Sequence, residues 1–134
     1  MKPVPAFQAI CVVASLAGTP ASQAFETNPL YRIAQQTFHA YRSHDARAFR
    51  ALLSPALSEQ YSDGDLSNLL TQCTRHFGDL TSLNFAAPGA PDHASFSAAS
   101  IRGTVNMILE VDAAGRIVFW KLWMDEKECA VAEE

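Results

Sequence analysis

Apolar positions recur with two different periods along this chain, and the change comes near residue 79. Up to Phe77 they fall three and four apart, the spacing of a helix with one buried face; beyond Asp79 they alternate with polar residues, the spacing of strands. Leu30, Ile33, Ala34, Phe38 and Tyr41 line one face of a first helix, capped by Asn28, opened by Pro29 and ending near Ser43. Asp45 caps a shorter second helix with Phe49, Leu52 and Leu53 as its apolar positions. Ser54-Pro55 stops it, because the residue before a proline is pushed out of helical geometry. The turn Ser62-Asp63-Gly64-Asp65 opens a third helix with the stripe Leu66, Leu69, Leu70, Cys73 and Phe77, and Gly78 suits its C-terminal left-handed position.

In the second half, Leu83 and Phe85 begin a strand, and 86–92 reads as a loop carrying Pro88, Gly89 and Pro91. Phe96 and Ala98 share one face of the next strand. Val105, Met107, Leu109 and Val111 form the clearest alternation, with Thr104, Asn106 and Glu110 between them. A hairpin turn over Asp112-Ala113-Ala114-Gly115 leads to a last strand, Ile117 to Met124, that is apolar on nearly both faces and therefore needs cover on two sides or a partner. The acidic stretch 125–134 reads as a tail unless Cys129 ties it down. The predicted class is α+β, with three N-terminal helices packed in a curved antiparallel sheet of about four strands.

The first 24 residues stand apart from this pattern. A short positive start at Lys2, an uncharged run from Ala9 to Ala17, a break at Gly18 and Pro20, and the small residues Ser22 and Ala24 make a cleavable signal peptide, with the mature chain starting at Phe25. The apolar run is about half the roughly 20 residues that a membrane span needs. One domain is expected over 25–124, in the periplasm or outside the cell, with no membrane contact after cleavage. Without Lys2, nine basic side chains stand against 14 acidic ones, so the balance excludes the electrostatic footprint of a nucleic-acid binder. Arg32, Arg42, Arg47 and Arg50 cluster early but read as a solvated helical face. Of three cysteines, Cys11 leaves with the signal, and Cys73 and Cys129 remain as an even pair in an oxidising compartment, where a disulfide is expected.

Two stretches carry a resemblance. Ala40 to Leu57, running Ala-Tyr-Arg-Ser-His-Asp into Leu-Leu-Ser-Pro-Ala-Leu, resembles the opening of nuclear transport factor two-like domains, the superfamily that includes SnoaL-like and ketosteroid-isomerase-like proteins. Gly103-Thr104-Val105 through Gly115-Arg116-Ile117 resembles their closing hairpin, and the likeness is greatest to small secreted bacterial domains of unknown function. The resemblance implies a cone in which a bent sheet wraps a long helix and leaves room for a pocket. It implies no reaction, because the superfamily holds isomerases, dehydratases and plain binding modules alike. The chain carries neither Ser-x-x-Lys nor Gly-x-Ser-x-Gly, the nucleophile motifs of β-lactamase-like and hydrolase domains.

Candidate chemistry is sparse. An isomerase-like mechanism needs a carboxylate base facing a donor across a dry pocket. Asp45, Asp65 and Asp112 are accounted for by caps and a turn, whereas Glu110 sits on the polar face of its strand. His39 and His44 stand about 140° apart around a helix, poor geometry for a shared metal; no metal, cofactor or catalytic residue is assigned. The residues singled out for a ligand or partner surface are Tyr41, Phe119, Trp120, Lys121 and Trp123, since a buried lysine between aromatic neighbours would be costly. The expected function is an exported non-enzymatic module that binds a small apolar ligand or a protein partner, a second copy included, through its sheet. The alternative is an isomerase- or dehydratase-like enzyme using an inward carboxylate or His39.

Overall fold

Asn28 begins the part of the chain that the computed structural model describes, residues 28–88 and 91–133; the expected signal peptide and its cleavage before Phe25 lie outside it. The Asn28 side chain accepts from Leu30 N at 2.9 Å and opens α1, Pro29–Ser43, which ends where His44 turns left-handed at φ 54°. Asp45 follows at once as the cap of α2, Ala46–Ala51, accepting from Ala48 N at 3.0 Å.

The break at Ser54-Pro55 also starts a helix that the apolar spacing did not announce, α3, Pro55–Gln60. Proline cannot continue α2, but its fixed φ and missing N–H suit a first turn, and Ser54 Oγ caps it by accepting from Leu57 N. Only Leu57 is buried along those six residues, so α3 offered no periodicity to read. A reciprocal box, Asp65 N to Ser62 Oγ and Ser62 N to Asp65 Oδ2, opens α4, Asp63–Phe77, and holds the Asp65 carboxyl below its ordinary pKa. Gly78 closes it at φ 78°, ψ −167°, a region that is essentially glycine's alone.

The strands β1 (Leu80–Pro88), β2 (His93–Ser100), β3 (Gly103–Val111), β4 (Ile117–Met124) and β5 (Lys127–Ala132) form one antiparallel meander in the order β1-β2-β3-β4-β5. Three expectations change. The first strand starts three residues earlier than Leu83 and reaches Pro88, which is tolerated because β1 is an edge strand. The expected sheet of about four strands has five. The expected tail from Asp125 is that fifth strand, so the folded domain runs beyond Met124 to Ala132. Cys129 and Val131 are buried and alternate with Glu128 and Ala130, a pattern too short to stand out in sequence beside the acids that precede it.

All four helices pack on one side of this sheet. Tyr41, Phe49, Phe77, Phe96, Met107, Leu109 and Trp120 are fully buried there, among the leucines of α3 and α4. Register explains the division: Phe96, Met107 and Leu122 stand opposite one another across β2, β3 and β4 and all face inward. A backbone bridge joins the first half to the hairpin, Ser54 N to Ile117 O at 2.8 Å and Ile117 N to Leu52 O at 2.9 Å. Cys73 on α4 and Cys129 on β5 form a disulfide with Cα atoms 5.8 Å apart across 56 residues, worth about 4 kcal/mol in the chain-entropy picture. The bond fastens the last edge strand to a helix, and Gln60 Nε2 adds a 3.0 Å bond to Ala132 O.

Candidate functional site: the outer face of the sheet

Alternation along each strand sends every second side chain away from the helices. Three cross-strand rows result, each running β2 to β5: His93, Glu110, Phe119, Ala132; Ser95, Ile108, Lys121, Ala130; and Ser97, Asn106, Trp123, Glu128. Ile108, Phe119, Lys121 and Trp123 are half-buried and stand outside the hydrophobic core. Toward β1 and β2 the same face carries small side chains, Ser95, Ser97 and Ala99. The result is an open face bordered by two aromatic rings.

Lys121 is held in the middle of this face. Its Nζ lies 3.0 Å from Glu128 Oε2 and 5.5 Å from the centre of the Trp123 ring. The ion pair is partly exposed and contributes little to stability, but it fixes the lysine beside the indole. A charge that inner packing would have excluded is accommodated because none of the described helices covers this side.

The five residues singled out from sequence therefore separate. Phe119, Lys121 and Trp123 share the outer face. Trp120 is fully buried on the inner face, edge-on to Phe49 at 4.9 Å, and its indole N–H finds no acceptor among the described residues. Tyr41 is also interior: its hydroxyl donates to Gly78 O at 3.0 Å, and burial raises its pKa above the ordinary 10.0. Neither contributes to a surface. The two-sided last strand is apolar inward for the core and apolar outward for the shelf, two demands that its sequence merges.

The inside offers little for acid–base chemistry among the described residues. The buried polar side chains are Thr37, whose hydroxyl donates to Ala34 O at 2.7 Å, and Ser54, the α3 cap. Glu110 and Asp112 are half-buried and the other described carboxylates exposed. His39 is exposed on α1, beside a shallow surface hollow lined by Gln36, Ser43 and Leu52. Cys73 and Cys129 are consumed in their bond. No group of three or more metal-ligating side chains comes together among the described residues.

The early arginines also separate. Arg42 lies over the Phe38 ring at 5.6 Å, whereas Arg47 and Arg50 meet Arg116 from the β3–β4 turn around an open groove. No local signal links residue 116 to α2; only the bridge between Leu52, Ser54 and Ile117 brings them together. Fold and site define an α+β protein with helices on one side of an open antiparallel sheet and a half-exposed aromatic shelf on the other. No family model matches the chain, and no curated protein matches it. Among the described residues, no helix is long and apolar enough to cross a membrane.

Proposed function

We propose that this chain is an exported, non-catalytic binding module whose working surface is the outer face of the sheet, and that a second copy of the chain is its occupant. The observation that carries the reading is the pair Phe119 and Trp123, half-buried on a face that none of the described helices covers. Tryptophan and phenylalanine are enriched at protein interfaces, where they supply large contact area at low entropic cost. Strand spacing and length give the face about 600 Å², close to the roughly 800 Å² per partner of a stable interface once corrugation is counted.

Two features favour a second copy. The face carries both signs of charge, Lys121 beside Glu110 and Glu128, and mixed charge on one patch is compatible with a self-complementary, two-fold contact. The small residues Ser95, Ser97 and Ala99 let another sheet approach to the usual spacing of about 10 Å. A small apolar ligand would need space on the inner face, where Trp120, Met107 and Leu109 are already fully buried. Export rests on the leader sequence and agrees with the disulfide. The resemblance to nuclear transport factor two-like domains supports a compact module that presents its sheet.

The test is mass measurement by light scattering and native spectrometry across micromolar concentrations. A dimer that Trp123→Glu converts to a folded monomer is the expected result. A wild-type monomer throughout, or a dimer indifferent to Trp123→Glu, overturns the reading.

A further inference from the structure

A second surface, remote in chemistry from the aromatic shelf, concentrates positive charge in an otherwise acidic protein. We propose that the open groove between α2, α3 and the β3–β4 turn is a binding site for a small oxyanion, phosphate or carboxylate, gripped by Arg47, Arg50 and Arg116. The groove encloses about 500 Å³ and is lined by these three guanidinium groups and one carboxylate, Asp63. The whole chain carries net charge −4, so the local excess of cations runs against the protein's balance.

Two of the three guanidinium groups are held in place by backbone carbonyls. Arg50 donates from Nε at 2.9 Å and from Nη2 at 2.5 Å to Ser58 O, while its Nη1 lies 3.5 Å from Asp63 Oδ1. Arg116 donates from Nη1 to Ala51 O at 2.7 Å, at the C-terminal end of α2. A guanidinium has five N–H donors in a rigid fork, so each keeps donors free of these carbonyls. The carbonyl of Ala51 accounts for Arg116 turning toward α2; among the described residues no acceptor engages its Nε or Nη2. Arg47 has no such partner among the described residues and stands exposed at the same groove.

The arrangement is pre-organised in the sense that matters for anion binding. Carbonyl contacts remove much of the rotamer entropy that a free arginine would lose on gripping a ligand. Three cations around one carboxylate repel one another, and an oxyanion between them relieves that repulsion while matching the guanidinium fork. Phosphate and carboxylate share this chemistry, and the two sources are separable by probe.

The experiment is an amide-resolved NMR titration of the disulfide-bonded protein with inorganic phosphate and, separately, with tricarballylate. Sodium chloride holds the ionic strength constant. Saturable shifts centred on Ala51, Ser58, Asp63 and Arg116 are expected with at least one probe. Saturation by phosphate alone assigns a phosphate-bearing ligand, and by tricarballylate alone or by both an oxyanion site open to carboxylates. Arg47→Ala, which removes no carbonyl contact, is expected to weaken binding about tenfold, as the loss of a charge-assisted pair does, with the folded spectrum otherwise preserved. Linear shifts with both probes, or equal affinity in wild type and Arg47→Ala, overturn the proposal.

Discussion

Trp120 and Trp123 sit on the same strand, three residues apart, and the fold asks opposite things of them. Trp120 faces the helices, is fully buried against Phe49, and stands between Leu109 and Val131 across the sheet. Trp123 faces away, is half-buried, and shares its surroundings with Lys121, Asn106 and Glu128. Residue type does not distinguish them. Strand alternation does, and it turns one ring into core and the other into surface.

The sharpest break between them is in stability. Trp120→Ala is expected to cost about 4 kcal/mol, the range for emptying an aromatic site in a packed core, whereas Trp123→Ala should cost less than about 1 kcal/mol. Urea unfolding of the two variants at matched concentration measures the difference; equal losses would mean that the outer ring is packed as tightly as the inner one.

The disulfide sharpens the inner side further, because it ties the strand that flanks β4 to α4. Replacing Cys73 and Cys129 together by alanine is expected to lower stability by about 2 to 4 kcal/mol without reductant. Adding reductant should bring the wild type down to meet the variant in a thermal scan. A gap that survives reduction would assign the loss to packing of the buried sulfurs.

A smaller effect belongs to Tyr41, whose ring is as fully buried as that of Trp120. Desolvation raises its pKa, and neighbouring Asp79 acts in the same direction, while Thr74 and Arg102 oppose it. The unfolded chain therefore releases this proton first as pH rises. Its contribution is fully present below pH 10, the unfolded value, and is lost as pH climbs through the higher folded one. Tyr41→Phe should cost about 1 kcal/mol at neutral pH by removing the bond to Gly78 O, and should flatten the alkaline fall in melting temperature. An unchanged alkaline profile would place the titration elsewhere.

Much of the fold was legible because local chemistry and burial agree. Asn28, Asp45, Ser62 and Asp65 cap the helices that their spacing announced, and Val105, Met107 and Leu109 all face inward as their alternation requires. Legibility failed where an element is short or carries few apolar residues. α3 buries only Leu57, and β5 buries only Cys129 and Val131 in six residues. Its pairing with β4 supplies the stability that its own composition does not announce. The candidate surface was half legible: Phe119, Lys121 and Trp123 belong together, but Trp120 and Tyr41 had to be removed from it. The arginine groove was not legible at all, since Arg47 and Arg50 looked like a helical face and Arg116 like a turn residue.

Sequence alone determined the helical first half, the stranded second half, the helix caps and an even pair of cysteines as candidates for a bond. These depend on periodicity, on side chains reaching neighbouring backbone, and on the count of thiols, all of which are local or arithmetic. Tertiary structure decided which face of β4 is covered, how far the sheet extends, and which arginines converge. Those outcomes depend on where the helices lie across the sheet and on contacts between residues more than fifty positions apart, which only the packed chain brings within reach.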